Sequence, residues 1–438
     1  MKVTKARAVD TDQSIYEKTT LPNGIRVITA TMPHTRSAAV SFYIGVGARH
    51  EAPKLAGVSH FVEHMVFKGT RRRPNPAQIS EDIEGVGGNL NAATDHEHTN
   101  YRALVPYNYL HTAVDVLSDM LRDSEFKPEE VVKERDVILE EIDSTQDSPG
   151  DIADLAFDAL LWPGHALGKD VAGTKTSVKR ITREDLVTHI EKQYQPNAIV
   201  VSVAGNVSHT EVVDQIGSLW TDMPRSANGK HHIEVPPQVE VGPKTTFFKK
   251  RTEQVNLLLG VPALPYTHDG RYVQDVLDSL LGAGMSSRLF VEIRENRGLA
   301  YAVSSFVKTY ADVGAFGVHA AVDNERVDET IRAIIDELGR IKRERVPEIE
   351  LRKVKEYIKG NTLLSLERST YVAHWGGWQE LQLGRIEPMD EVLDKIENVT
   401  AEQVQALANE LFTTEHLHLA LVGPARDTSV LQDLLVVN

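Results

Sequence analysis

The chain has 438 residues, 41% hydrophobic and 25% charged, enough apolar material for more than one core and a length that suggests two to four domains. Its net charge of −15 argues against nucleic acid as a partner, because phosphate binding needs clustered lysine and arginine. It contains no cysteine, so disulfides and thiolate ligands are excluded, any metal must be held by nitrogen and oxygen, and a reducing compartment is the expected setting. No window reads as a membrane span or a signal-peptide apolar region, and Met1–Asp10, briefly basic and then acidic, does not suit a transit peptide. The bacterial or archaeal cytoplasm is the expected location.

In chain order, Leu21-Pro-Asn-Gly24 signals a hairpin turn before strands over 25–31 and 38–45. Helices are predicted near 55–67, 76–85, 109–122, 129–145 and 151–162. A Thr182-capped helix then precedes the apolar strand 198–204. The proline-bearing polar stretch 225–243 reads as a linker, splitting the chain into 1–224 and 244–438. Beyond it, strands are predicted near 244–250, 255–261, 299–308 and 314–321, with helices between 325 and 412. Shifting by 218 residues aligns Thr182 with Thr400, Glu184 with Glu402, Tyr194 with Phe412 and Gly205 with Gly423. A period this long indicates duplicated domains rather than a solenoid. Strands followed by runs of helices indicate an α+β fold: two homologous domains, each a largely antiparallel sheet with helices packed on one face.

The chemistry starts in the first predicted helix. His60, Glu63 and His64 form an H-x-x-E-H motif flanked by Val58, Phe61, Val62 and Met65. Residues i and i+4 share a helix face, so both imidazoles can meet one metal, with Glu63 beside it to hold a water and take its proton. The order is the reverse of H-E-x-x-H and is the inverzincin signature. A catalytic zinc needs a third protein ligand. The helix at 129–145 offers Glu134 and Glu141, two turns apart on nearly one face and roughly 10 Å apart along the axis. Glutamates in so charged a helix are ordinarily a solvated face, so spacing alone leaves their role open.

H-x-x-E-H followed, 77 residues after His64, by Glu141 in a helix of the form E-R-x-V-I-L-x-E resembles the pitrilysin and mitochondrial processing peptidase family. The resemblance implies Glu141 as third zinc ligand and Glu134 as a supporting glutamate; Glu140 points about 100° away on the helix and is the weaker candidate. Gly87-Gly-Asn-Leu-Asn-Ala-Ala-Thr94 is similar to the family's G-G-x-x-N-A edge strand, which implies that Asn91 and Ala92 contact a peptide added as a strand. Arg294-Glu-Asn-Arg-Gly-Leu-Ala-Tyr301 resembles the family's R-E-x-R-G-L-A-Y segment, implying that Arg294 and Tyr301 hold the substrate and its oxyanion.

The resemblance implies a zinc-dependent endopeptidase with one zinc per chain, since the region 276–284 of the second copy has no histidine. Relatives of double length close a chamber from four such domains; this chain has two, which implies a homodimer with composite active sites. The competing readings are a non-catalytic core or assembly subunit of the same fold, and a catalytic subunit that needs a distinct inactive partner. Three other features are expected to lie outside the site. His96 and His98, which would point the same way in a strand, and His231, His232, His416 and His418 are expected not to bind metal. Trp375 and Trp378 suit a packed helix face.

Overall fold

A computed structural model describes residues 15–224 and 242–438; most of the expected linker, His231 and His232 among it, lies outside the described residues. In the first half, strands β1 (Tyr16–Thr20), β2 (Arg26–Thr31) and β3 (Ser37–Ile44) lead into helices α1 (Val58–Met65) and α2 (Pro76–Glu84). A hairpin follows, β4 (Asn89–Thr94) and β5 (Thr99–Pro106), then α3 (Leu110–Asp123), α4 (Pro128–Asp147), α5 (Pro149–Leu161), α6 (Lys175–Arg180) and α7 (Arg183–Gln193). β6 (Ile199–Gly205) and α8 (His209–Leu219) complete it. The second half runs β7 (Lys244–Lys249), β8 (Gln254–Ala263), α9 (Arg271–Gly282), a π-helical turn (Phe290–Asn296), β9 (Ala300–Thr309) and β10 (Gly314–Asp323). Helices α10 (Val327–Arg343), α11 (Glu348–Ser365), α12 (Ser369–Leu383), α13 (Met389–Glu397) and α14 (Ala401–Leu411) precede β11 (His418–Gly423) and α15 (Leu431–Leu434).

The strands form two mixed, mostly antiparallel sheets in the orders β1-β2-β6-β3-β5-β4 and β7-β11-β8-β10-β9. Among the described residues only β2 with β6 and β7 with β11 run parallel. The 218-residue shift carries α7 onto α14 and β2 onto β7, so the second sheet repeats the first without β1. Thr182 and Thr400 each accept a backbone N–H at the third position of their helix, a capping box in both copies.

Period-two alternation divides each strand between two faces. Val40, Phe42 and Ile44 of β3 enter the first core with Val27, Val201, Val203 and the apolar faces of α1, α3 and α8. Ala39 and Tyr43 point the other way, against Val372, Ala373, Trp378 and Leu381 of α12. The second sheet mirrors this. Leu257, Leu259, Leu419 and Leu421 enter its core, whereas Leu258, Ala420 and Val422 meet Ile152, Ala153, Ala156 and Phe157 of α5. Each half therefore lends one helix to the outer face of the other half's sheet, adding a layer to the expected single helical face. Glycine permits the close seating of α12: a Cβ at Gly377 would press on the Tyr43 ring, and one at Gly376 on the Tyr16 ring.

β5 is a central strand absent from the sequence expectation. Asn100 and Arg102 interrupt its apolar run, but they alternate with Tyr101, Ala103 and Val105, which face the core.

Candidate active site

Helix α1 starts where Gly57 takes a left-handed φ of 94°, a turn at which any Cβ would strike the Ala172 carbonyl. The Glu51 carboxylate accepts the N–H groups of Gly57 and Ser59, both at 2.7 Å, and so satisfies the helix's first donors. Burial pushes the Glu51 carboxyl up to about 7, against the pull of those two donors. With Phe61, Val62 and Met65 sunk in the core, His60, Glu63 and His64 are left on the open side of the helix.

The imidazoles converge. His60 Nε2 and His64 Nε2 lie 3.2 Å apart, and Glu141 Oε2 is 3.8 Å from the first and 3.4 Å from the second. Donors arranged tetrahedrally around zinc stand roughly 3.3–3.5 Å apart at ordinary bond lengths, so these three atoms fit three corners of such a shell. Among the described residues, His60, His64 and Glu141 are the one group able to hold a metal ion; Glu140, on the next face of α4, lies outside it.

Glu134 Oε1 accepts from His64 Nδ1 at 2.9 Å, and its Oε2 pairs with Lys68 Nζ at 2.7 Å. Burial would raise the Glu134 carboxyl, but the hydrogen bonds from His64 and Lys68 outweigh it and hold it below the usual range. An ionised Glu134 fixes the proton on His64 Nδ1 and leaves Nε2 as the donor, the outer partnership typical of metal-binding histidine. Burial favours neutral His64, yet its bond to Glu134 and the charges of Glu141, Glu134 and Glu63 raise it overall. His60 has no such partner among the described residues: its Nδ1 is buried without a hydrogen bond there, and burial, helped by His64, lowers it to about 4.

Glu63 is joined to the edge strand. Thr94, the last residue of β4, donates its Oγ1 hydrogen to Glu63 Oε2 at 2.6 Å. Burial raises the Glu63 carboxyl; Thr94 and His64 oppose the rise, and Glu141 adds to it. Asn91 and Ala92 lie on β4, which has β5 as its single strand neighbour among the described residues, so its outer edge is open along their length.

Arg294 and Tyr301 are not brought to this cluster by hydrogen bond or ion pair among the described residues. The Arg294 guanidinium lies over the Tyr301 ring at 4.9 Å and the Phe290 ring at 4.8 Å, within the π-helical turn that leads into β9. Tyr301 is 75% exposed on that edge strand. His96 and His98 fall in the turn between β4 and β5 and diverge: His96 Nε2 meets the Lys169 carbonyl, and His98 packs on Trp378. Trp375 and Trp378 pack along α12 against Tyr371 and His374.

Residues 26–175 match the family description "Insulinase (Peptidase family M16)" and residues 180–358 match "Peptidase M16 inactive domain". An uncharacterized zinc protease of Streptomyces coelicolor is 36% identical over 439 residues, covering 97% of this chain and 95% of that protein. The chain belongs to the peptidase M16 family. Its fold is shared with a protease from Helicobacter pylori at a TM-score of 0.86 and 22% identity, over 94% of this chain and 100% of that one. A chain of complex III from Candida albicans superposes at 0.80 with 18% identity, over 96% and 99%. The insulinase match contains His60, Glu63, His64, Glu134 and Glu141, and the inactive-domain match runs from the end of the first half into the second.

Sequence reasoning gave no role to Thr94, Lys68 or Glu51. Thr94 closes the quoted strand motif two residues beyond Ala92, on the same face, and Lys68 lies four residues after His64. Both spacings carried a signal. Glu51 precedes its helix by a loop, and only the fold brings it to the N-terminus.

Proposed function

We propose that this M16 chain is a zinc-dependent endopeptidase hydrolysing peptides or unfolded segments that lie as an added strand along β4. The observation that carries the proposal is the convergence of three tetrahedrally spaced donors beside a carboxylate tied to that strand. His60, His64 and Glu141 would hold one zinc per chain, and such an ion would supply Lewis-acid polarisation and lower the pKa of water so that it loses its proton more readily. Glu63 accepts the proton of the attacking water and returns it to the leaving amine; its upward-shifted carboxyl is closer to neutral pH than an ordinary glutamate, which suits both transfers. Thr94 anchors one oxygen of that carboxylate, and Glu134 holds the His64 ring. Asn91 and Ala92 offer backbone groups to the peptide. Residues 1–224 form the catalytic part, and 244–438, beyond the linker 225–243, the substrate-contacting and assembly part.

Arg294 and Tyr301 stabilise the oxyanion from across a homodimer, each site being composite. The lack of any hydrogen bond or ion pair from either residue to the cluster among the described residues, and the 75% exposure of Tyr301, support this arrangement. The absence of cysteine supports a cytoplasmic setting, and among the described residues no helix is long and apolar enough to cross a membrane.

A second reading, a non-catalytic assembly subunit, draws support from the fold-level likeness to a complex III chain. The intact donor set and base count against it. Peptide cleavage by wild type and Glu63→Gln, with bound zinc quantified in both, separates the two. Turnover should fall about 10²–10⁴-fold with zinc retained; equal turnover in both proteins rejects the mechanism. Full activity in a species that sediments as a monomer rejects the composite site and, with it, a required inactive partner.

A further inference from the structure

α12 leaves part of the first sheet's outer face open. A groove of about 400 Å³ lies between β3, β5 and the first turn of α12 and reaches Asn89 at the start of β4. Arg102, Arg368 and His374 line it with Asn89, Asn100 and Tyr371, and among the described residues no acidic side chain does, although the chain carries a net charge of −15. Neither arginine has a carboxylate partner among the described residues; Arg368 reaches only the Ser365 hydroxyl at 3.4 Å. Asn100 is 5% exposed, and its Nδ2 has no hydrogen-bond partner among the described residues. The N-terminus of the 15-residue α12 at the groove has no side-chain cap, so its first N–H groups add positive potential.

The register relates this groove to the edge strand. Asn91 pairs with Arg102, and Asn89 with Leu104, so Asn89 and Asn91 share the groove's face of the sheet. Ala92 and Thr94 face the opposite side, where Thr94 meets Glu63. A peptide paired along β4 presents alternate side chains to these two faces. We propose that the groove is an anion subsite taking a carboxylate, through charge-assisted bonds from Arg102 and Arg368. The carboxylate comes from an acidic side chain of the bound peptide or from a small free anion; the first source rests on the reading that substrate lies along β4.

The test uses the zinc-loaded full chain, Arg368→Gln and the double variant Arg102→Gln/Arg368→Gln. Thermal unfolding is followed against sulfate, with ionic-strength-matched chloride as control. Unchanged Tm in chloride establishes that the variants fold. Sulfate should raise the wild-type Tm, with apparent affinity weakened on the order of tenfold or more in the double variant and less in the single one. An equal response in all three proteins overturns the subsite. A second arm measures anisotropy of a short labelled peptide carrying Asp, against its Asn isostere, on Glu63→Gln protein with and without the double substitution. An Asp preference that vanishes with the arginines assigns the groove to the peptide. Sulfate binding with no Asp preference assigns it to a free anion. If neither peptide binds while sulfate still does, the β4 reading fails and the anion subsite stands.

Discussion

The two halves share a strand order and a helix order, yet they part at one turn of helix. The 218-residue shift carries His60, Glu63 and His64 of α1 onto Asp278, Leu281 and Gly282 of α9, and Glu134 and Glu141 of α4 onto Arg352 and Lys359 of α11. The second half has also closed the space. A Cβ at Gly282 would collide with the Ser305 backbone, so no imidazole fits where His64 stands in the first copy. Asp278 points instead at Ser305 and accepts its hydroxyl at 2.6 Å. One architecture thus supports an open cluster in one copy and a packed helix in the other, which separates what the fold needs from what the chemistry needs.

The largest effect expected from this contrast is on metal content. Glu141→Ala removes a donor, and zinc affinity should fall by more than the roughly 10–100-fold that losing an outer partner such as Glu134 would cost. Lys359→Ala at the equivalent position removes exposed ion pairs to Glu356 and Glu397, and should leave zinc content and turnover unchanged, with stability within about 0.5 kcal/mol of wild type. Zinc quantification after dialysis checks both. Loss of metal in the lysine variant would mean that the halves are not chemically independent.

The duplication was legible because its punctuation is local: a threonine cap, an apolar strand and a closing glycine recur at one spacing. The paired histidines were legible because four residues on a helix is a fixed geometry. Glu141 was not, since periodicity treats it and Glu134 alike; only the family resemblance chose between them. The exchange of α5 and α12 was hidden because it links residues far apart in sequence. A hint was nevertheless present, for every residue of β6 and of β11 is buried, as strands covered on both faces require. Arg102 and Asn100 hid β5 for the reason that makes them interesting: they are polar because a groove lies above them.

Where the halves meet, Arg49 sharpens the comparison. Its side chain is fully buried and bonds Glu97 of the first half at 2.6 Å and both Asp312 oxygens, in the turn between β9 and β10, at 2.7 and 2.6 Å. Arg49→Met keeps apolar volume but strands Glu97 without its cation. Removing one partner of a buried ion pair costs about 3–5 kcal/mol, so a denaturant midpoint should move to markedly lower concentration. An unmoved midpoint would mean that the exchanged helices alone hold the halves together.

The smallest expected effect concerns carboxylates, which the halves treat in opposite ways. Glu63 is raised, its burial only partly offset. Glu387 in the second half is also buried, but hydrogen bonds from Lys395 and Tyr272 and the charge of Arg271 outweigh burial and bring it down to about 2. A carboxyl depressed in the folded state contributes stability that is fully present above its unfolded value of 4.5 and is lost as pH falls through about 2. Wild type should therefore lose stability relative to Glu387→Gln across that window, the gap between them narrowing as pH falls from 4.5 towards 2 in denaturant titrations. A gap constant over the range would show that Glu387 acts through packing alone. A narrowing gap would show that Glu387 stays ionised to hold structure, in contrast to Glu63, whose carboxyl burial raises.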